Sequence, residues 1–158
     1  IEARLMRAGD FTQRQPSGHW RGDRDAPVNF PDAYPLLVCN RASLEDLNGR
    51  LPAPLPMTRF RPNLVIDGLP PYAEDGIETL QFGAVQLRLV KACTRCSTTT
   101  IDQESGAASG NPLSVLRTYR YDRALRGVTF GQNALMTAGL GDSLRVGEHG
   151  TATARARH

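Results

Sequence analysis

Lysine is almost missing from this chain of 158 residues: Lys91 stands alone against 18 arginines. A high-GC, bacterial genome accounts for that bias by composition alone. The functional reading of the same bias is anion recognition, because a planar guanidinium matches phosphate and carboxylate better than an ammonium does. Aromatic residues are scarce at 6%, with Trp20 the single tryptophan. That disfavours a stacking platform for single-stranded nucleic acid. A net charge of +3 is too small to argue for nucleic acid by itself. No apolar run approaches the ~18 residues that span a bilayer, so no membrane partner is expected. No basic n-region and apolar h-region open the chain, so no signal peptide is expected either. The first residue is Ile1 rather than Met, as in a fragment of something longer. Cysteines number three, Cys39, Cys93 and Cys96. An odd count without a secretion signal argues against a disulfide scaffold and for a reducing, cytoplasmic location. Neither a Walker nor a GxGxxG pattern is present, so the usual warrant for nucleotide binding is missing.

What is present is a series of short apolar segments in a chain long enough for one core. Ile1 to Met6 alternates like a strand, and Gly9 to Val28 reads as a loop. Leu36 to Cys39 is a buried-strand candidate. Ser43 precedes a short helix with Asp46 at the capping-box spacing; Leu44, Leu47 and Leu51 share its apolar face and Gly49 stops it. Asn63 to Ile66 is a strand candidate. Ile77 to Phe82 and Val85 to Val90 flank Gly83-Ala84 as a hairpin. Ser97 to Ile101 is rich in threonine and strand-like. Pro112 to Tyr121 reads as a helix with proline in its first turn. Val128 to Phe130, Ala134 to Thr137 and Leu144 to Val146 read as separate strands punctuated by glycine. The expected class is mainly β with short helices (α+β), barrel-like rather than built of alternating βαβ units. The expected division is a partial N-terminal strand and linker over 1–29, one domain over 30–150 and a disordered tail over 151–158.

The most informative segment is Cys93-Thr94-Arg95-Cys96-Ser97-Thr98-Thr99-Thr100-Ile101-Asp102. Zinc wants four close ligands, and His19, His149 and His158 show no ligand spacing. A thioredoxin-like pair wants a helix after the motif, where strand-like residues stand instead. A cysteine in an apolar run, such as Cys39, is most often an inert core residue. Cys96 has polar neighbours, with Lys91 and Arg95 nearby, which favours the thiolate. A single thiolate ligand to a soft transition metal is therefore a third reading.

That motif belongs to an ordered set. It follows Arg59-Phe60-Arg61-Pro62-Asn63-Leu64-Val65 and precedes Phe130-Gly131-Gln132-Asn133. Tyr34-Pro35-Leu36-Leu37, Ala42-Ser43-Leu44, Leu47-Asn48, Tyr72-Ala73-Glu74-Asp75, Pro112-Leu113 and Tyr119-Arg120 complete it over roughly residues 30–147. The set resembles a MOSC domain, the molybdenum-cofactor sulfurase C-terminal domain, in its YcbX-like and mitochondrial amidoxime-reducing-component branch. The resemblance implies a MOSC-type β-barrel-like fold that binds molybdenum cofactor (Mo-molybdopterin).

Residue by residue, it implies Cys96 as the molybdenum ligand, with Arg61 and Asn63 holding the pterin cofactor. Arginine can clamp a phosphate by two charge-assisted bonds, and an amide can both donate and accept. The bland readings are a surface ion pair for Arg61 and a turn for Asn63. Arg95 would supply positive potential beside the thiolate and the anionic cofactor. Thr98 and Thr99 would offer hydroxyls or backbone donors near the metal, or serve as ordinary strand threonines. Cys93 would support without ligating, and Glu74 and Asp75 receive no role. The implied activity is reduction of N-hydroxylated compounds, with electrons from an external flavin or iron–sulfur partner. The alternative is a non-catalytic carrier of cofactor or sulfur. Relatives in this branch carry a β-rich module ahead of the MOSC domain. Only about 30 residues precede the match here, so either an incomplete cofactor site or a domain cut from a longer chain is expected; purified material is expected to lack cofactor where the host makes too little of it.

Overall fold

The computed structural model describes residues 13–14, 28–29 and 34–156. The strand expected over Ile1 to Met6 lies outside them, as does most of the loop expected over Gly9 to Val28. Inside the stretch expected as a loop, Gln13–Arg14 forms β1, which pairs antiparallel with β2 (Val28–Asn29).

From Tyr34 the chain builds one seven-stranded sheet. Its strands are β3 (Leu36–Asn40), β4 (Leu64–Ile66), β5 (Ile77–Phe82), β6 (Val85–Thr94), β7 (Tyr121–Asp122), β8 (Gly127–Ala138) and β9 (Thr151–Ala154). The order is β4-β3-β8-β6-β5-β9, with β7 also on β8. All pairs are antiparallel except β3 with β4. Helices α1 (Arg41–Asn48) and α2 (Pro112–Arg117) are short. Three 3-10 turns, Met57–Phe60, Ala73–Gly76 and Ser97–Thr100, fill the connections. The fold is mainly β with short helices, and its sheet curls into the barrel-like form expected.

β8 is the spine, and it differs from expectation. It is one strand of 12 residues that runs through Gly131 rather than two short strands. Gly131 has φ +77°, and a Cβ there would lie 2.7 Å from Cys39 Sγ and 2.8 Å from the Val38 carbonyl oxygen. Glycine lets β8 pass so close to β3 and adopt the left-handed backbone. The hairpin around Gly83-Ala84 forms as expected, with Phe82 opposite Val85. Leu37, Cys39, Leu44, Leu47, Phe60, Leu116, Val128 and Phe130 make one core cluster. Val38, Ile66, Ile77, Leu80, Val85, Leu87, Leu89 and Ala134 make a second. Val38 and Cys39, adjacent on β3, fall in different clusters, as the two-residue period of a strand requires.

Four local expectations are corrected. The N-cap of α1 is Asn40, whose Oδ1 accepts from Ala42 N at 3.1 Å; Ser43 instead lies buried inside the helix and bonds Glu74. Ser97–Thr100 is a 3-10 turn, not a strand. Its hydroxyls explain why: Thr99 Oγ1 donates to Cys96 O at 3.0 Å and Thr100 Oγ1 to Ser97 O at 2.7 Å. Such side-chain bonds offer the backbone an alternative to a ladder. Leu144 to Val146 forms no strand. Thr151–Ala154, expected in a disordered tail, pairs with β5 as β9. All four of its residues are exposed, so no apolar pattern announces it. Its backbone ladder to β5 holds it instead, and just beyond it the Arg155 side chain donates Nε to Ile77 O and Nη2 to Leu89 O, both at 3.0 Å.

Candidate functional site

The three cysteines occupy three environments. Cys39 is fully buried on β3, and desolvation pushes its thiol up to about 12. It is a core residue. Cys93 is half-buried near the end of β6 and accepts from Arg95 Nη1 at 2.9 Å. Cys96 is exposed and stands at the head of the Ser97–Thr100 turn. Its Sγ lies 3.2 Å from Thr98 Oγ1. Hydrogen bonds from the Thr98 hydroxyl, and then its backbone N–H, hold the Cys96 thiol below the ordinary range; Arg95 adds a smaller push.

This arrangement separates the readings of the CxxC. β6 runs extended through Thr94, and Arg95 N still bonds Val128 O at 2.8 Å. Cys93 and Cys96 are both free thiols. Among the described residues, no three of His, Cys, Asp and Glu gather as a metal-holding group. Cys96 is thus presented as a single, accessible, thiolate-favouring sulfur.

The turn that carries Cys96 packs on the turn Met57–Phe60, which leads into Arg61 and Asn63. Arg59 is 2% exposed. Its Nη1 donates to Ser109 O at 2.6 Å and Thr99 O at 3.4 Å, and its Nη2 to Ser109 Oγ and Asp102 Oδ2. Arg95 reaches the other way, with Nη2 on Phe60 O at 2.8 Å. Arg61 is exposed and left-handed, with φ +53°. Asn63 pairs with β3 through both its groups: Oδ1 accepts from Leu37 N at 2.8 Å and its N donates to Leu37 O at 2.9 Å. Thr98 is exposed, whereas Thr99 is 1% exposed and its hydroxyl is engaged on Cys96 O. The structure therefore brings the Cys96 turn and the Arg61 turn together. It directs Arg95 toward Cys93 and Phe60, and Thr99 toward the backbone.

Sequence reasoning missed Arg59, although it lies in the same motif as Arg61. It also left Glu74 and Asp75 without roles. Glu74 is fully buried and accepts from Ser43 Oγ at 2.8 Å and from Asn40 Nδ2 at 3.1 Å. Burial is the largest cause of its raised carboxyl pKa. Asp75 takes a two-pronged bond from Arg120 at 2.6 and 3.1 Å and a third from Gln132 Nε2 at 2.7 Å. The pair ties the 73–76 turn to α1 on one side and to β8 on the other. A cavity of about 400 Å³ lies beyond Asp75, lined by Lys91, Arg120, Gln132 and Arg155 among others. Cys96 does not line it, so the chemistry of the exposed thiol and this cavity are separate features.

The accessible Cys96 thiol, with the Thr98 hydroxyl beside it and the exposed Arg61 at the end of the neighbouring turn, suits an anionic cofactor with a soft metal. A family model for the MOSC domain matches residues 25–152. The chain belongs to the MOSC domain family. This MOSC domain is 44% identical over 129 residues to mitochondrial amidoxime-reducing component 1 of Mus musculus, a match that covers 77% of the chain and 37% of the relative. It is 45% identical over 94 residues to the Homo sapiens component 1, covering 59% of the chain and 28% of the relative. The Homo sapiens component 2 is 40% identical over 99 residues, covering 62% and 30%. The matched MOSC region thus spans about a third of the length of these relatives. No helix among the described residues is long and apolar enough to cross a membrane.

Proposed function

We propose that this MOSC domain holds molybdenum cofactor, with Cys96 Sγ as the protein ligand to molybdenum, as part of a reductase of N-hydroxylated compounds. The observation that carries the reading is the exposed Cys96 thiol, held toward its thiolate by Thr98 on the turn packed against the Arg61 turn. A thiolate is the protein ligand a soft metal selects. When bound, the cofactor supplies two-electron chemistry, by which N–OH, two electrons and two protons give N–H and water. Cys96 anchors the metal end. Arg61, exposed on its left-handed backbone, clamps the phosphate. Asn63 has its Oδ1 engaged by Leu37 N, so the donor side of its amide is the one that meets the pterin. Arg95 holds Cys93 and keeps positive potential near the thiolate without ligating. The preceding module known from this branch and an external flavin or iron–sulfur donor complete the system.

The test is metal and pterin content after expression in a host that makes the cofactor. Cys96→Ala is expected to lose molybdenum, and Cys93→Ala to keep it. Equal retention in both variants refutes Cys96 as the ligand. The second reading is a carrier without turnover, which the same exposed thiol would serve. Turnover of an N-hydroxylated base with a supplied reductant rules that reading out.

A further inference from the structure

Two arginines on opposite turns each reach across to the other turn. Arg59, in the turn before Arg61, bonds Thr99 O, Ser109 and Asp102 on the Cys96 side. Arg95, just before Cys96, bonds Phe60 O on the Arg61 side and lies with its guanidinium carbon 5.7 Å from the Phe60 ring centre. Phe60 itself stacks on Phe130 of the sheet spine with ring centres 4.0 Å apart. A guanidinium as buried as Arg59 is a costly choice for a merely structural tie. Its planar fork can hold several acceptors at once, which an ammonium cannot. Arg61 N also closes its turn on Thr58 O at 3.0 Å while its own backbone stays left-handed. Non-glycine residues in that region persist only where the surroundings over-determine them.

We propose that Arg59 and Arg95 form a reciprocal brace whose task is to fix the span between Arg61 and Cys96. They are positioning residues: neither is asked to touch the cofactor. The span matters because two anchors grip one group productively only when their separation is set in advance. The proposal rests on the cofactor reading above, with Cys96 at the metal end and Arg61 at the phosphate end.

The test begins without cofactor. Amide hydrogen exchange is followed by NMR at Thr99, Ile101 and Arg61, whose N–H groups close the two turns. Arg59→Met is compared with Leu80→Ala, a lesion in the other core cluster that also lowers stability. Arg59→Met is expected to speed exchange at those three amides roughly tenfold beyond Leu80→Ala. Arg59→Lys is expected not to rescue it. In cofactor-loaded protein, Arg59→Met is expected to shift the Mo(V) electron paramagnetic resonance spectrum and to speed cofactor release, whereas Leu80→Ala does neither. If Arg59→Met does not fold, Ser109→Ala and Asp102→Ala remove the two side-chain acceptors of its Nη2 one at a time and are read in the same way. Exchange no faster than in Leu80→Ala, or a loaded variant with the spectrum and release rate of the parent, overturns the brace. Molybdenum retained by Cys96→Ala overturns the cofactor reading instead, and the exchange data still decide the brace.

Discussion

Replacing Gly131 by alanine adds one methyl group at the closest approach of β8 to β3. Two costs follow. The residue sits at φ +77°, where an L side chain is disfavoured by roughly 1–2 kcal/mol. The new Cβ would also lie 2.7 Å from Cys39 Sγ and 2.8 Å from Val38 O. Overpacking of this kind costs about 1–3 kcal/mol more. The expected loss is about 2–5 kcal/mol, a large share of a domain stability of about 5–15 kcal/mol. Gly141 is the matched control: its φ is +95° and nothing lies within 4 Å of an added Cβ. Gly141→Ala should therefore cost only the backbone share. Equilibrium urea unfolding of both variants measures the difference. The Cys39→Ala background dissects it further, because it removes the sulfur but leaves the Val38 carbonyl in place. Gly131→Ala should regain part of its loss there, and not all. A Gly131→Ala variant no less stable than Gly141→Ala would refute the steric reasoning.

Further tests reach the site and the edges. Glu74 has a raised carboxyl pKa, so the folded state binds its proton more tightly than the unfolded state. Its contribution is fully present below the unfolded carboxylate pKa of about 4.3 and is lost as pH rises through the folded value. Glu74→Gln should gain stability relative to the parent as pH rises above the unfolded carboxylate value of about 4.3; parallel urea-midpoint curves would contradict this. Iodoacetamide should label Cys96 first and leave Cys39 unlabelled until unfolding, and Thr98→Val should slow Cys96 labelling near neutral pH; mass spectrometry of timed samples reads both. Arg155→Ala removes two bonds from a charged donor to the carbonyls of Ile77 and Leu89 and should cost about 2 kcal/mol. Unchanged melting would mean that β9 is held by its backbone ladder alone.

The legible parts of this fold are those where local chemistry and burial agree. The hairpin around Gly83-Ala84 shows in its alternation, because Val85, Leu87 and Leu89 face one core. Helix α1 shows in Leu44 and Leu47, although its cap was misplaced: the Ser43 hydroxyl is drawn inward by a buried carboxylate 31 positions away. β9 was illegible because an exposed strand of threonine and alanine buries nothing. The unbroken β8 was hidden by Gly131, whose usual meaning as a break is reversed by the nearness of β3.

The candidate residues for the proposed chemistry are named by sequence alone. Cys96 and its motif, Arg61, Asn63 and the ordered family pattern need no coordinates, because they depend on residue type and spacing. Only the tertiary structure decides which cysteine is accessible, since burial raises the Cys39 thiol while Thr98 lowers that of Cys96. It alone sets Arg59 against Thr99 and Ser109, contacts 40 and 50 positions apart in the chain. No local rule encodes such pairs, because they exist only once the sheet has closed and brought the two turns together.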